Sequence, residues 1–285
     1  MKNILSVLCA LILLCLAGCG KTEAVKAAEL AIEGIGSVSI ESGEAIEHAQ
    51  KLYDILTDDE KSMVDNRILL AEAVESYEKI LAEQARNTLE AAYDELSKAY
   101  DIADRFGSDL YEAWRVGIQD KEQFKGANLN GSLKFLASNL FLSYDDLLEG
   151  ACCAYSDMWG GDWNEKQDED KQKIRDTIAT GTLFYFSQNN IYVSCVNCVR
   201  FGYELNGSTA EADECITKAG TAIASIDKSL VDERLLDSFE ELKSSLLSLL
   251  EFCMEPTGSF NQCGETINDY RNTIRRCMSS IEGAM

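Results

Sequence analysis

Apolar residues recur every three or four positions along most of this chain and polar residues fill the gaps, the periodicity of an amphipathic helix. Near the start, Ile46, Ala49, Tyr53 and Leu56 fall on one face, with Ser42 placed to cap that helix. Thr57-Asp58-Asp59-Glu60 then reads as a capping box opening a short second helix, its acidic residues lying where the helix dipole favours them. Asn66 ends it, and a third helix begins near Arg67 with Leu69, Ala73, Tyr77 and Ile80 on one side. From about residue 82 a longer set of stripes follows. Leu89 to Phe106 is interrupted at Gly107 and continued by Leu110 and Trp114; Leu129 to Leu140 makes another helix. A second capping box at Ser208 and Glu211 opens Cys215 to Ile223, and Leu230 to Leu250 and Ile267 to Ile281 complete the chain, the last capped by Ser259 to Gln262. The pattern predicts an all-α protein, with a small three-helix module at residues 19–81 followed by a larger multi-helix bundle at 82–285.

Two stretches depart from this regularity. Ile174 to Leu205 is the least polar part of the mature chain. Helical spacing there predicts a buried central helix, but aromatic and β-branched residues also fit a β-hairpin, so 182–196 stands as helix or hairpin. Within it, Cys195-Val196-Asn197-Cys198 places two thiols on one side of a helix, which suits a metal pair, a redox disulfide or two structural thiols. The only histidine, His48, lies far away beside Ala49 and reads as a surface or packing residue. The second departure is 150–162, where Trp159 and, just beyond, Trp163 flank Gly160-Gly161. Two tryptophans so placed form either an aromatic ligand loop or plugs in the bundle. Asp162-Trp163-Asn164 lacks the ligand and glycine spacing of a calcium loop, and Asp168-Glu169-Asp170 reads as a solvated helix start.

Composition narrows the picture further. Only one proline, Pro256, occurs in 285 residues, which favours long helices. The net charge is −23, a balance that opposes binding to nucleic acid and to anionic lipid surfaces. Of eleven cysteines, Cys9, Cys15 and Cys19 belong to the leader and its junction. The remaining eight are an even number, which in an exported chain suggests disulfides of undetermined connectivity. Cys253 and Cys263 flank the turn at Pro256 to Gly258 almost symmetrically and form the best-motivated disulfide pair.

The leader itself has one positive charge, Lys2, then an apolar run from Ile4 to Leu16 closed by small residues, the layout of a signal peptide over 1–18. That run is shorter than the roughly 20 residues a helix needs to span a bilayer. Its end, Leu16-Ala17-Gly18-Cys19, resembles the lipobox of bacterial lipoproteins. The resemblance implies lipid attachment at Cys19, a mature chain starting there, and a stable anchor on the extracytoplasmic face of the membrane, since two acyl chains hold where one does so only marginally.

Just behind the junction stand Ile35, Gly36, Val38, Ser42, Ala45, Ile46, Ala49, Tyr53, Leu56 and Thr57, then Glu60, Lys61, Val64 and Asn66, then Leu70, Ala73 and Tyr77. This arrangement resembles a small helical module repeated in surface and secreted proteins of Gram-positive anaerobes. The resemblance covers roughly a fifth of the chain and implies a spacer or binding role without catalytic residues. Lys228 to Leu236 matches Lys61 to Leu69 at six of nine positions, as a decayed second copy or as shared helix-start chemistry.

No nucleophile or acid–base grouping stands out, and with 49 acidic residues carboxylate pairs arise at any spacing by chance. Alternating strand and helix units, as in solute-binding proteins of the two-lobe type, are absent. The expectation is a lipid-anchored surface protein that binds a partner or ligand, without cofactor or catalysis. A thiol- or metal-dependent activity at Cys195 and Cys198, or a purely structural spacer, is the alternative.

Overall fold

A computed structural model describes residues 21–124, 129–158, 161–180 and 191–285. Cys19, Trp159 and the 182–190 part of the helix-or-hairpin stretch lie outside the described residues. Every regular element among the described residues is helical, so the protein is an all-α multi-helix fold. The chain divides between Ala85 and Arg86 into two compact units.

The first unit holds α1 (Glu23–Ile35), α2 (Gly43–Asp54), α3 (Asp58–Ser62) and the first turns of α4 (Arg67–Gln119). Helix α1 is an element beyond the three expected. Thr22 caps it, its hydroxyl accepting from the Val25 N–H at 3.3 Å, and Val25, Ala28, Ile32 and Ile35 give it one buried face. Gly36 ends it at φ 62°, a left-handed conformation that glycine adopts without a Cβ penalty. Those residues meet Ala49, Val64 and Leu70 in a core of their own. Asn66 ties the start of α4 to α1, its Nδ2 donating to the Glu29 carbonyl at 3.0 Å.

The capping box at Thr57 forms as read: the Glu60 N–H donates to Thr57 Oγ1 at 3.3 Å, and the Thr57 N–H to Glu60 Oε2 at 3.1 Å. Ser42 does not cap α2 with its side chain. It closes a 3₁₀ turn (Ile40–Ser42) instead, its hydroxyl accepting from the Ser39 N–H at 2.9 Å. His48 is exposed on α2.

Helix α4 runs 53 residues without a break, where the stripe pattern predicts interruptions near residue 82 and at Gly107. No proline lies in this interval. Gly107 marks a close approach rather than a stop, because a Cβ there would sit 3.2 Å from Ile267 and 3.7 Å from the Cys253 sulfur.

The second unit adds α5 (Leu129–Ala137), α6 (Tyr144–Met158), α7 (Asp168–Ala179), α8 (Ile191–Leu205), α9 (Ser208–Ala224), α10 (Glu233–Met254) and α11 (Phe260–Ala284) to the rest of α4. Residues 191–196 are therefore helix. Phe106, Leu110, Leu147, Leu242 and Leu246 are fully buried at its centre. Arg271 clamps α11 to α4, donating from Nε to Asp104 Oδ1 at 2.6 Å and from Nη2 to the Asp104 carbonyl at 2.7 Å.

Ser259 and Gln262 form the expected capping box, but Ser208 and Glu211 do not. Gly207, at φ 83°, takes the cap position of α9, and its carbonyl accepts from the Glu211 N–H at 2.9 Å. The two matching nonamers also differ. Asp232 caps α10 through the Arg234 N–H at 2.8 Å, whereas Asp65 pairs with Lys21 at 2.6 Å. Each stretch thus does different local work, which favours shared helix-start chemistry over a second module copy.

Candidate functional site

Helix α8 is amphipathic in an unusual sense, since both of its faces serve the fold but only one is fully buried. Cys195, Cys198, Val199 and Gly202 face the core. Tyr192, Val193, Val196, Asn197 and Arg200, at spacings of one, three and four residues, line a cleft of about 420 Å³ together with Trp114 of α4 and the Glu255-Pro256-Thr257 turn. Its walls come from three parts of the chain.

Each wall has a local cause. Gly117 lets the backbone of Tyr192 lie directly against α4, since a Cβ there would come within 2.9 Å of the Tyr192 Cβ. This brings the Tyr192 and Trp114 rings nearly parallel, 6° apart in tilt and 6.0 Å between centroids. Phe260 also packs on Trp114, tilted 59° at 6.5 Å between ring centres, and stacks on Tyr111 at 4.7 Å, which extends the aromatic cluster. The turn exists because Pro256 cannot continue α10, Gly258 takes a φ of 91°, and Ser259 restarts the helix.

Arg200 is one of the polar groups that the described part of the bundle leaves incompletely satisfied. Its Nη1 donates to Asn197 Oδ1 at 3.3 Å, while its Nε–H is buried without a partner. Among the described residues no carboxylate pairs with it, and between Asp176 and Glu204 it is the only charged residue. A buried donor without an acceptor carries its full desolvation cost. Glu255 lines the same cleft and is exposed.

The residues singled out from the sequence fall elsewhere. Trp163 is 3% exposed, and Lys171 and Arg175 lie 5.6 and 5.5 Å from its ring centre, with Arg175 also ion-paired to Glu149. The ring is therefore used inside the bundle, not offered to a ligand. Cys195 and Cys198 are fully buried, and burial pushes both thiols well above their ordinary pKa. A reactive thiol needs an accessible thiolate, so this environment opposes thiol chemistry. No group of three or more His, Cys, Asp or Glu side chains is arranged to hold a metal ion among the described residues.

The expected Cys253–Cys263 disulfide is not formed. All eight cysteines of the described residues are free thiols, and Cys253 and Cys263 both pack fully buried as small apolar side chains, their pKa raised by burial. Burial, and then the neighbouring carboxylates of Glu95 and Glu241, push the Cys215 and Cys277 thiols up.

The same unit holds a polar pin that the helical periodicity does not reveal. Asp109 is 1% exposed on α4, and its carboxylate accepts from the Phe141 and Leu142 N–H groups at 2.8 and 2.9 Å and from the Tyr203 hydroxyl at 3.1 Å. It thereby ties the lead into α6 to both α4 and α8. Desolvation nevertheless holds the carboxyl above the usual carboxylate range, outweighing those three hydrogen bonds.

No known protein family, curated protein or solved structure matches this chain.

Proposed function

We propose that this protein is a lipid-anchored extracytoplasmic binding module, held to the membrane through Cys19 and taking its ligand in the cleft on α8. The observation that carries the binding role is Arg200, a cation without a carboxylate partner among the described residues, lining an aromatic-backed cleft of about 420 Å³. Pockets of this size, mainly apolar with a few convergent polar groups, are the usual form of a ligand site. The lipobox resemblance at Leu16-Ala17-Gly18-Cys19 and the module resemblance behind it support an outward-facing, anchored protein. The charge of −23 argues against a nucleic-acid partner. The thiol- or metal-dependent alternative loses support from the burial of Cys195 and Cys198, and the reading assigns no catalysis and no cofactor.

The test is capture of envelope components on immobilised protein, comparing wild type with Val193→Trp. Val193 is 39% exposed, so the larger side chain fills the cleft without entering the core. Wild type is expected to retain a specific component that Val193→Trp does not. Equal retention by both would move the site elsewhere, and no retention by either would favour a spacer.

A further inference from the structure

We propose that the α8 cleft takes a small zwitterion of the apolar amino-acid class, its carboxylate on Arg200, its ammonium toward Glu255 and its side chain against Tyr192 and Val193. This rests on the binding reading above and adds the chemistry of the ligand.

The carboxylate follows from Arg200. A guanidinium presents a planar fork of donors, matched two at a time by a carboxylate. Here Nη1 is committed only to Asn197, at 3.3 Å, and the buried Nε–H has no partner. Arg200 pairs with no carboxylate among the described residues, and its guanidinium lies 5.5 Å from the Phe201 ring centre, so its charge is left for a carboxylate from outside. A carboxylate bound in the cleft would take up the Nη donors, while the Nε–H lies too deep for a ligand to reach.

The ammonium follows from Glu255. Glu255 lines the same cleft and makes no ion pair with Arg200 or with any other cation among the described residues. A simple anion on Arg200 would share the cleft with that second negative charge, whereas a ligand carrying both signs complements both residues. The apolar part follows from the remaining lining. Tyr192 and Val193 are 36% and 39% exposed, large apolar surface left open beside the buried Trp114.

The test is isothermal titration calorimetry of the intact protein in mild detergent with three probes: L-phenylalanine, phenylpropanoate, which lacks the amine, and phenylethylamine, which lacks the carboxylate. Phenylalanine is expected to bind saturably, with each truncated probe at least about tenfold weaker. Arg200→Gln should weaken phenylalanine about tenfold and strengthen phenylethylamine. Glu255→Gln should weaken phenylalanine and strengthen phenylpropanoate. Absence of saturable binding of phenylalanine, or equal affinity for all three probes, overturns the proposal. Because the probes remove the charges from the ligand side, the result stands even if a variant misfolds. Should phenylalanine fail while envelope capture still depends on Val193, the ligand class falls and the binding module survives; failure of both removes both.

Discussion

Replacing Asp109 by Ala is expected to lower the stability of the larger unit by at least about 3 kcal/mol, because it strands three donors in the core at about 1–3 kcal/mol each. Those donors are the Phe141 and Leu142 N–H groups and the Tyr203 hydroxyl. In a unit of this size the loss corresponds to a fall in Tm of about 6–12 °C. Asp109→Asn should cost less than Asp109→Ala. Its carbonyl oxygen still accepts one N–H, and it removes a buried charge whose raised pKa already marks ionisation as costly. Tyr203→Phe should cost about 1 kcal/mol, since it takes away one donor and leaves both backbone bonds. Thermal denaturation of the three variants ranks them. If Asp109→Ala proves as stable as wild type, the pin is not structural.

The sign of the pH effect follows from the same group. A carboxyl whose folded-state pKa lies above its ordinary 3.8 adds most to stability when protonated, below that value, and the contribution is lost as pH rises through the folded pKa. Asp109→Asn removes this contribution, so the gap in stability between wild type and Asp109→Asn should widen in favour of wild type as pH falls toward 4.

Gly150→Ala is expected to be the other severe change. Helices α6 and α8 cross where Gly150 meets the Cys198 carbonyl and the Gly202 N, and a Cβ on Gly150 would overlap that carbonyl and lie 2.7 Å from the Gly202 nitrogen. Both are backbone atoms, so neither can swing aside and the helices must separate. The cost is about 3 kcal/mol, at the upper end for overpacking. Gly202→Ala meets the Asp146 carbonyl oxygen and Leu142 Cδ1 at 3.1 Å, contacts that small shifts relieve, and should cost about 1 kcal/mol. Since α8 carries Tyr192 to Arg200, Gly150→Ala should also weaken ligand binding at temperatures where the variant remains folded. Denaturation and calorimetry of both glycine variants check the contrast, and equal stability of the two would contradict the crossing as described.

How much of this was legible in the sequence differs by level. The helical periods and the boxes at Thr57 and Ser259 were readable because the groups that decide them lie within four residues of one another. Helix α1 is equally readable, since Val25, Ala28, Ile32 and Ile35 recur at three and four residues, but it lies ahead of the module pattern, which begins at Ile35. The continuity of α4 through Gly107 was not readable, because the glycine serves a contact with Ile267, 160 residues away in sequence. Ser208 failed as a cap for a local reason: Gly207 reaches a left-handed φ that makes the preceding residue the cap.

The site was less legible than the fold. Trp114 reads as core, and at 8% exposure it nearly is. The three walls of the cleft come from residues near 114, 192–200 and 255–257, and no spacing rule connects them. One signal was present all along: Arg200 is a lone charge inside the least polar stretch of the chain. The cysteines misled in the opposite direction. Their even number favours disulfides in an exported chain, but in the described bundle they occupy core positions as apolar groups, and packing rather than pairing accounts for Cys253 and Cys263.

The anchor is the claim on which the outward-facing role depends, and mass spectrometry of the N-terminal peptide of the protein isolated from membranes tests it most directly. The account predicts a mature chain whose first residue is Cys19, carrying a diacylglycerol on its sulfur. A chain that retains the residues before Cys19, or begins elsewhere without lipid on that sulfur, would contradict it.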